Sequence, residues 1–160
     1  MCRVATVYQD RAAMEQVLGM FRRLGGKFTN ELDFLFASWG FDELGHPRAA
    51  RSALEVASVA DILVFATHGN LPTDARTWLK DLADRRKGRE GALALLVAEP
   101  VDLAAPMMAL LMFFEGIALR SKMDFLPLFP TSPEGPILPM DHGTVDLAVR
   151  VSAAPGTARP

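Results

Sequence analysis

The stretch ILVFATHGNLPTDARTWLKDL (Ile62–Leu82) decides how the rest of the chain is read. Five apolar residues run unbroken from Ile62 to Ala66, and Thr67 ends them. Continuous apolar strands are buried on both faces, as in a parallel sheet covered by helices. His68, Gly69 and Asn70 make a polar turn, and Pro72 suits the start of a helix. From about Thr73 to Arg86 the apolar residues Trp78, Leu79 and Leu82 supply a helical stripe. Strand, short loop and helix are the repeating unit of an α/β fold.

The unit recurs on both sides. Upstream, RVATVY (Arg3–Tyr8) reads as a buried strand that ends at the polar QDR. Met14, Val17, Leu18 and Phe21 then keep helical spacing, and Gly25-Gly26 is expected to stop that helix. ELDFLFASW (Glu31–Trp39) reads as a second strand, and GFDELGHP as a loop. RAARSALEVASVAD is an alanine-rich helix with Leu54 and Val56 near its buried side. Downstream, DRRKGRE turns the chain into the strand ALALLVA (Ala92–Ala98). AAPMMALLMFFEGIALRSK is a helix apolar on most sides, with Pro106 in its first turn. MDFLPLF (Met123–Phe129) is a fifth strand, expected at an edge because Pro127 cannot donate to a ladder.

Five strands joined by helices imply right-handed crossovers and the order 2-1-3-4-5. The expected fold class is α/β, a flavodoxin-like three-layer sandwich with a five-stranded parallel sheet. Residues 1–130 form this domain. Residues 131–160 form a Pro/Gly-rich C-terminal extension. In it TSPEGPILPMDHG reads as an irregular loop, TVDLAVRV as a short extra strand, and SAAPGTARP as disordered.

The 160 residues suit one domain, half of them hydrophobic and 22% charged. A net charge of −2 is no footprint for nucleic acid or an anionic membrane. The lone Cys2 cannot form an intrachain disulfide. The opening MCRVATVYQD lacks a secretory pattern, and the most apolar run, Met107–Phe114, is too short for a bilayer. The expectation is a cytoplasmic protein.

The segment from Ala60 to Pro100 resembles the NAD(P)H-dependent FMN reductase family. ADILVFATHGNLPTDARTWLKDLADRRKGREGALALLV has that family's order of strand, loop, proline, helix, basic turn and strand. The resemblance extends over Arg3–Phe129. It implies a cytoplasmic flavoprotein oxidoreductase with FMN at the strand ends and NAD(P)H as hydride donor. At the family's phosphate turn, Gly-Ser-x-Arg-x-x-Ser, this chain has Tyr8, Gln9, Arg11 and Met14, and only Arg11 matches. Asp10 stands between, an anion where phosphate should sit. Phosphate binds a helix N-terminus through backbone N–H groups and small hydroxyls. The family's ring-packing loop Pro-x-Tyr-Asn is replaced by HGNLP, which has no aromatic, and the next loop is AEPVD.

The resemblance therefore implies a weakened flavin site at Gln9, Asp10, Arg11, Thr67, His68, Gly69, Asn70 and Glu99. Arg11 would hold phosphate, and His68 to Asn70 would edge the ring. The alternative is a non-enzymatic binding or regulatory module that keeps the fold without flavin. The residues themselves leave further choices. Asp10 suits a helix cap, and without an aspartate at the end of the third strand it is no phospho-acceptor. His68 could act as acid or base near neutral pH, or could simply shape its turn. His46, His68 and His142 lack metal-ligand spacing, and no strand-to-helix junction presents a nucleophilic serine. Met107, Met108, Met112, Phe113 and Phe114 form a cluster that is either core or the interface of a homodimer.

Overall fold

The computed structural model describes residues 1–27, 33–86, 88–98, 105–132 and 135–137. Its elements are β1 (Cys2–Tyr8), α1 (Arg11–Lys27), β2 (Phe34–Gly40), α2 (Pro47–Ser58), β3 (Ile62–Thr67), α3 (Thr73–Arg86), β4 (Ala92–Val97), α4 (Ala105–Ser121), β5 (Asp124–Ser132) and β6 (Gly135–Ile137). The first five strands pair in parallel in the order β2-β1-β3-β4-β5, and β6 adds antiparallel beside the end of β5. This is the flavodoxin-like order.

The reversal of direction at β1 sets the layers. The crossover from β1 to β2 runs one way and all later ones run the other, so right-handed connections put α1 on the opposite face from the other helices. One apolar cluster accordingly joins Ala5, Val7, Leu63, Phe65, Leu93 and Leu95 to residues of α2, α3 and α4. The other joins Val4, Val64, Ala66, Ala94 and Leu96 to Ala13, Val17 and Phe21 of α1. Every residue of β3 and β4 is buried, as their unbroken apolar runs require. α3 turns Trp78, Leu79 and Leu82 inward, and the Trp78 indole N–H donates to the Ala50 carbonyl at 3.0 Å.

Several details differ from the sequence expectation. α1 continues through Gly25 and Gly26 to Lys27: glycine costs a helix interior about 1 kcal/mol but does not terminate it. α2 buries Ala53 and Ala57, with Leu54 partly buried, while Val56 is exposed. The loop before α2 contains a 3₁₀ turn over Phe41–Gly45 that buries Phe41 and Leu44. Among the described residues β5 pairs with β4 alone over Asp124–Leu128, where Pro127 lies, and it also pairs with β6 from Phe129 onward. The edge position expected for β5 thus holds only where the proline sits. Gly135–Ile137, expected in an irregular loop, is β6. The TVDLAVRV and SAAPGTARP segments lie outside the described residues.

Cys2 is buried in β1, and burial, followed by the Asp61 charge, pushes its thiol up to about 11. No described helix is long and apolar enough to cross a membrane.

Candidate functional site

Doubly wound sheets bind ligands outside the carboxyl ends of their strands, where the strand order reverses. Here that place lies between the ends of β1 and β3. The two ladders each run one residue past their strands: Gln9 N–H donates to the Ala66 carbonyl at 2.9 Å, and Ala98 N–H to the Thr67 carbonyl at 2.7 Å. Gln9 and Asp10 are thereby set beside Thr67 and His68, although 58 residues separate Asp10 from His68.

Gln9 holds the two chain segments together. Its side-chain carbonyl accepts from the His68 N–H at 2.8 Å, which fixes the orientation of the amide. The Thr67 hydroxyl lies 2.8 Å from the same oxygen and 2.9 Å from the Asn70 carbonyl. With one proton, it donates to one of these at a time. It also accepts from the Gly69 N–H at 3.1 Å. Thr67 is fully buried, so this hydroxyl shapes the turn from inside. Gly69 has φ +120°, a conformation that L side chains rarely adopt, and a Cβ there would sit 3.4 Å from Met107 Cε.

Asp10 uses both carboxylate oxygens. Oδ1 accepts from the Ala13 N–H at 2.9 Å and caps α1. Oδ2 lies 2.7 Å from His68 Nε2. The bond from Ala13, opposed by slight desolvation and helped by His68, holds the Asp10 carboxyl below its ordinary range. Asp10 is therefore an anion at neutral pH and accepts only, so His68 carries its proton on Nε2 in this pair. The negative charge also complements the positive end of the α1 dipole.

Arg11 does not join this group. Its guanidinium lies 3.6 Å from Glu15 along the helix, and its side chain is 93% exposed. Asn70 contributes its backbone carbonyl, and its side chain stands at the surface. Glu99 lies outside the described residues. Two residues near the site were not anticipated. Gln16 on α1 donates from Nε2 to the Ala98 carbonyl at 2.7 Å, tying the helix to the end of β4. Its place one turn beyond Ala13, on the helix's inward side, was the available signal. Arg76 donates to the Leu71 carbonyl and stacks on the Phe113 ring, 5.0 Å from its centroid. No signal in the sequence joined those two.

The Met/Phe cluster divides between core and surface. Met107 and Phe114 are buried, Phe113 is partly buried, and Met108 and Met112 are exposed. Among the described residues no three of His, Cys, Asp and Glu come together as metal ligands would.

No family model matches the chain, and no curated protein matches it. Among solved structures it is similar to the Trp repressor binding protein from Bacillus subtilis. That match has 14% sequence identity and a TM-score of 0.49, over 92% of this chain and 96% of the other. The flavodoxin-like assignment stands on the observed strand order.

Proposed function

We propose that this chain is a divergent flavodoxin-like protein, related to the NAD(P)H-dependent FMN reductases, whose flavin site is weakened at its phosphate end. The observation that supports this reading is the double engagement of Asp10 by Ala13 N–H and His68. In the resembling family, phosphate occupies the start of the first helix. Here the chain's own Asp10 carboxylate stands there and accepts from the Ala13 N–H, so a phosphate would meet a like charge. Arg11, the one matching residue, is turned to Glu15. Asp10 at the helix start and Arg11 turned to Glu15 do not fit the phosphate of FMN.

The same observation favours a second reading, a binding or regulatory module that keeps the fold without flavin. Asp10 pairs with His68 and with the Ala13 N–H, contacts that lie wholly within the chain. A fluorescence titration with FMN separates the two readings. The wild type should bind more weakly than ~10 μM, and Asp10→Ser should bind more tightly. Nanomolar binding by the wild type would overturn the weakened site. No binding by either protein would favour the module.

A further inference from the structure

β2 ends the sheet on the side away from β5, and among the described residues it pairs with β1 alone. Natural edges are usually guarded by charges, prolines or bulges. β2 reads FLFASWG, with no charge and no proline, and its register with β1 is unbroken. Leu35 is 55% exposed and Phe36 40%. We propose that β2 pairs antiparallel with β2 of a second copy of this chain, across a two-fold axis at Ala37, so that two sheets become one.

The strand is self-complementary about Ala37. Pairing 34–40 with itself sets Phe34 opposite Gly40, Phe36 opposite Ser38 and Leu35 opposite Trp39, each pair on one face. The register with β1 assigns these faces. Phe34, Phe36 and Ser38 lie on the α1 side, where the Phe21 ring stands 5.2 Å and 5.0 Å from the two phenylalanine rings. There each large side chain meets a small one, so the rows interdigitate. On the other side Leu35 covers Trp39 of the second copy, an aromatic–aliphatic cross-strand pair, and Trp39 already packs on the core. A register centred on Phe36 would instead oppose two phenylalanines and set Trp39 against Asp33.

The size also fits. Seven residues make an edge about 23 Å long, and the helix layers raise its height to roughly 30 Å. Edge-to-edge contact then covers roughly 700 Å² per copy, close to the ~800 Å² of a standard interface. A second exposed apolar row, Met108, Met112 and Leu119 on α4, is interrupted by exposed Glu115 and Arg120, and Arg120 pairs with Asp84.

Sedimentation equilibrium on the full chain tests the pairing. The wild type should reach twice 17.4 kDa at micromolar concentration. Phe36→Lys/Ser38→Lys sets ammonium groups opposite one another on both sides of the axis and should leave a monomer. Phe36→Glu/Ser38→Lys sets opposite charges there and should restore the dimer. Both variants lose the same phenylalanine ring, so their difference isolates the pairing. Leu35→Lys, at an exposed position, should weaken the dimer at least about tenfold, with an unchanged melting curve once both proteins are diluted to monomers. This single variant decides the matter if the double variants fold poorly. A wild-type monomer at ~100 μM would overturn the proposal. So would equal assembly of the two double variants. Loss of the dimer on Met112→Lys but not on Leu35→Lys would move the interface to α4. A monomer whose β2 amides resist hydrogen exchange would show that the chain covers its own edge.

Discussion

The two ends of the sheet are held by one electrostatic rule applied under opposite conditions. At the amino ends of β3 and β4, a cation meets backbone carbonyls. Arg86, only 3% exposed, donates from Nη1 to the Ala57 and Ala60 carbonyls at 2.8 Å, and from Nη2 to the Glu90 carbonyl at 3.0 Å. At the carboxyl ends of β1 and β3 an anion meets backbone N–H, where Asp10 caps α1. Each charge sits where helix termini favour it. The difference is burial. Arg86 is sealed in, so its bonds act as structure. Asp10 is half exposed, so a ligand could compete with it. Gly91 shows how tightly the first end is packed: a Cβ there would lie 2.6 Å from Arg86 Nη2 and 2.9 Å from the Asp61 carbonyl.

The largest effect should come from removing the buried cation. Burial, and then the neighbouring Arg89 charge, already pull the Arg86 guanidinium below its ordinary pKa, with Asp61 opposing. Arg86→Met takes the guanidinium away from the Ala60 and Glu90 carbonyls, and leaves the Ala57 carbonyl with the Ala60 N–H at 3.2 Å. Charge-assisted bonds and orphaned acceptors together make the expected loss about 3 kcal/mol. At roughly 2–4 °C per kcal/mol, the melting midpoint should fall by roughly 6–12 °C. A shift below about 0.5 kcal/mol in denaturant unfolding would erase the contrast between the two ends.

Thr67→Val should have a smaller effect at the other end. It removes a buried hydroxyl that accepts from Gly69 and donates to Gln9 or Asn70, at a cost of about 1–2 kcal/mol. Heteronuclear NMR should show the Gly69 and His68 amides shifting while those of β4 stay in place. Equal shifts across both ends would mean that the turn is not a separate unit.

The smallest effect is the pH dependence of Asp10. Its folded pKa lies below the ordinary value of 3.8. The carboxylate's contribution is therefore complete above that value and is lost as pH falls through the folded pKa. Asp10→Asn should lower the melting midpoint slightly at neutral pH. The wild type should also lose stability more steeply than the variant as pH falls below about 3.8. Parallel curves for the two proteins would mean that the cap and the His68 pair contribute nothing.

What was legible beforehand was local. The runs at Ile62–Ala66 and Ala92–Val97 announced strands buried on both faces, because nothing polar interrupts them. α3 was readable to its ends, since Trp78, Leu79 and Leu82 mark one face and Pro72 precedes it. Val56 was misjudged because α2 packs through its small side chains, and alanine carries little signal of which way it points. β6 was missed because three residues, one of them Pro136, have no periodicity to detect. At the site, sequence reasoning named Gln9, Asp10, Thr67 and His68. It did not foresee that Arg11 would turn to Glu15, or that Gln9 would be the hub.

By itself the sequence determined the alternation of strands and helices and, through the handedness of crossovers, the order of the sheet. It also placed an acidic residue, Asp10, directly before the first helix. Only the tertiary structure decided what that residue does. Asp10 reaches His68 across 58 positions, and Arg86 reaches Ala57 and Ala60 across 29 and 26. Local propensity acts within a few residues. Partners this far apart meet only once the strands lie side by side, and the register of that pairing sets which polar groups face one another.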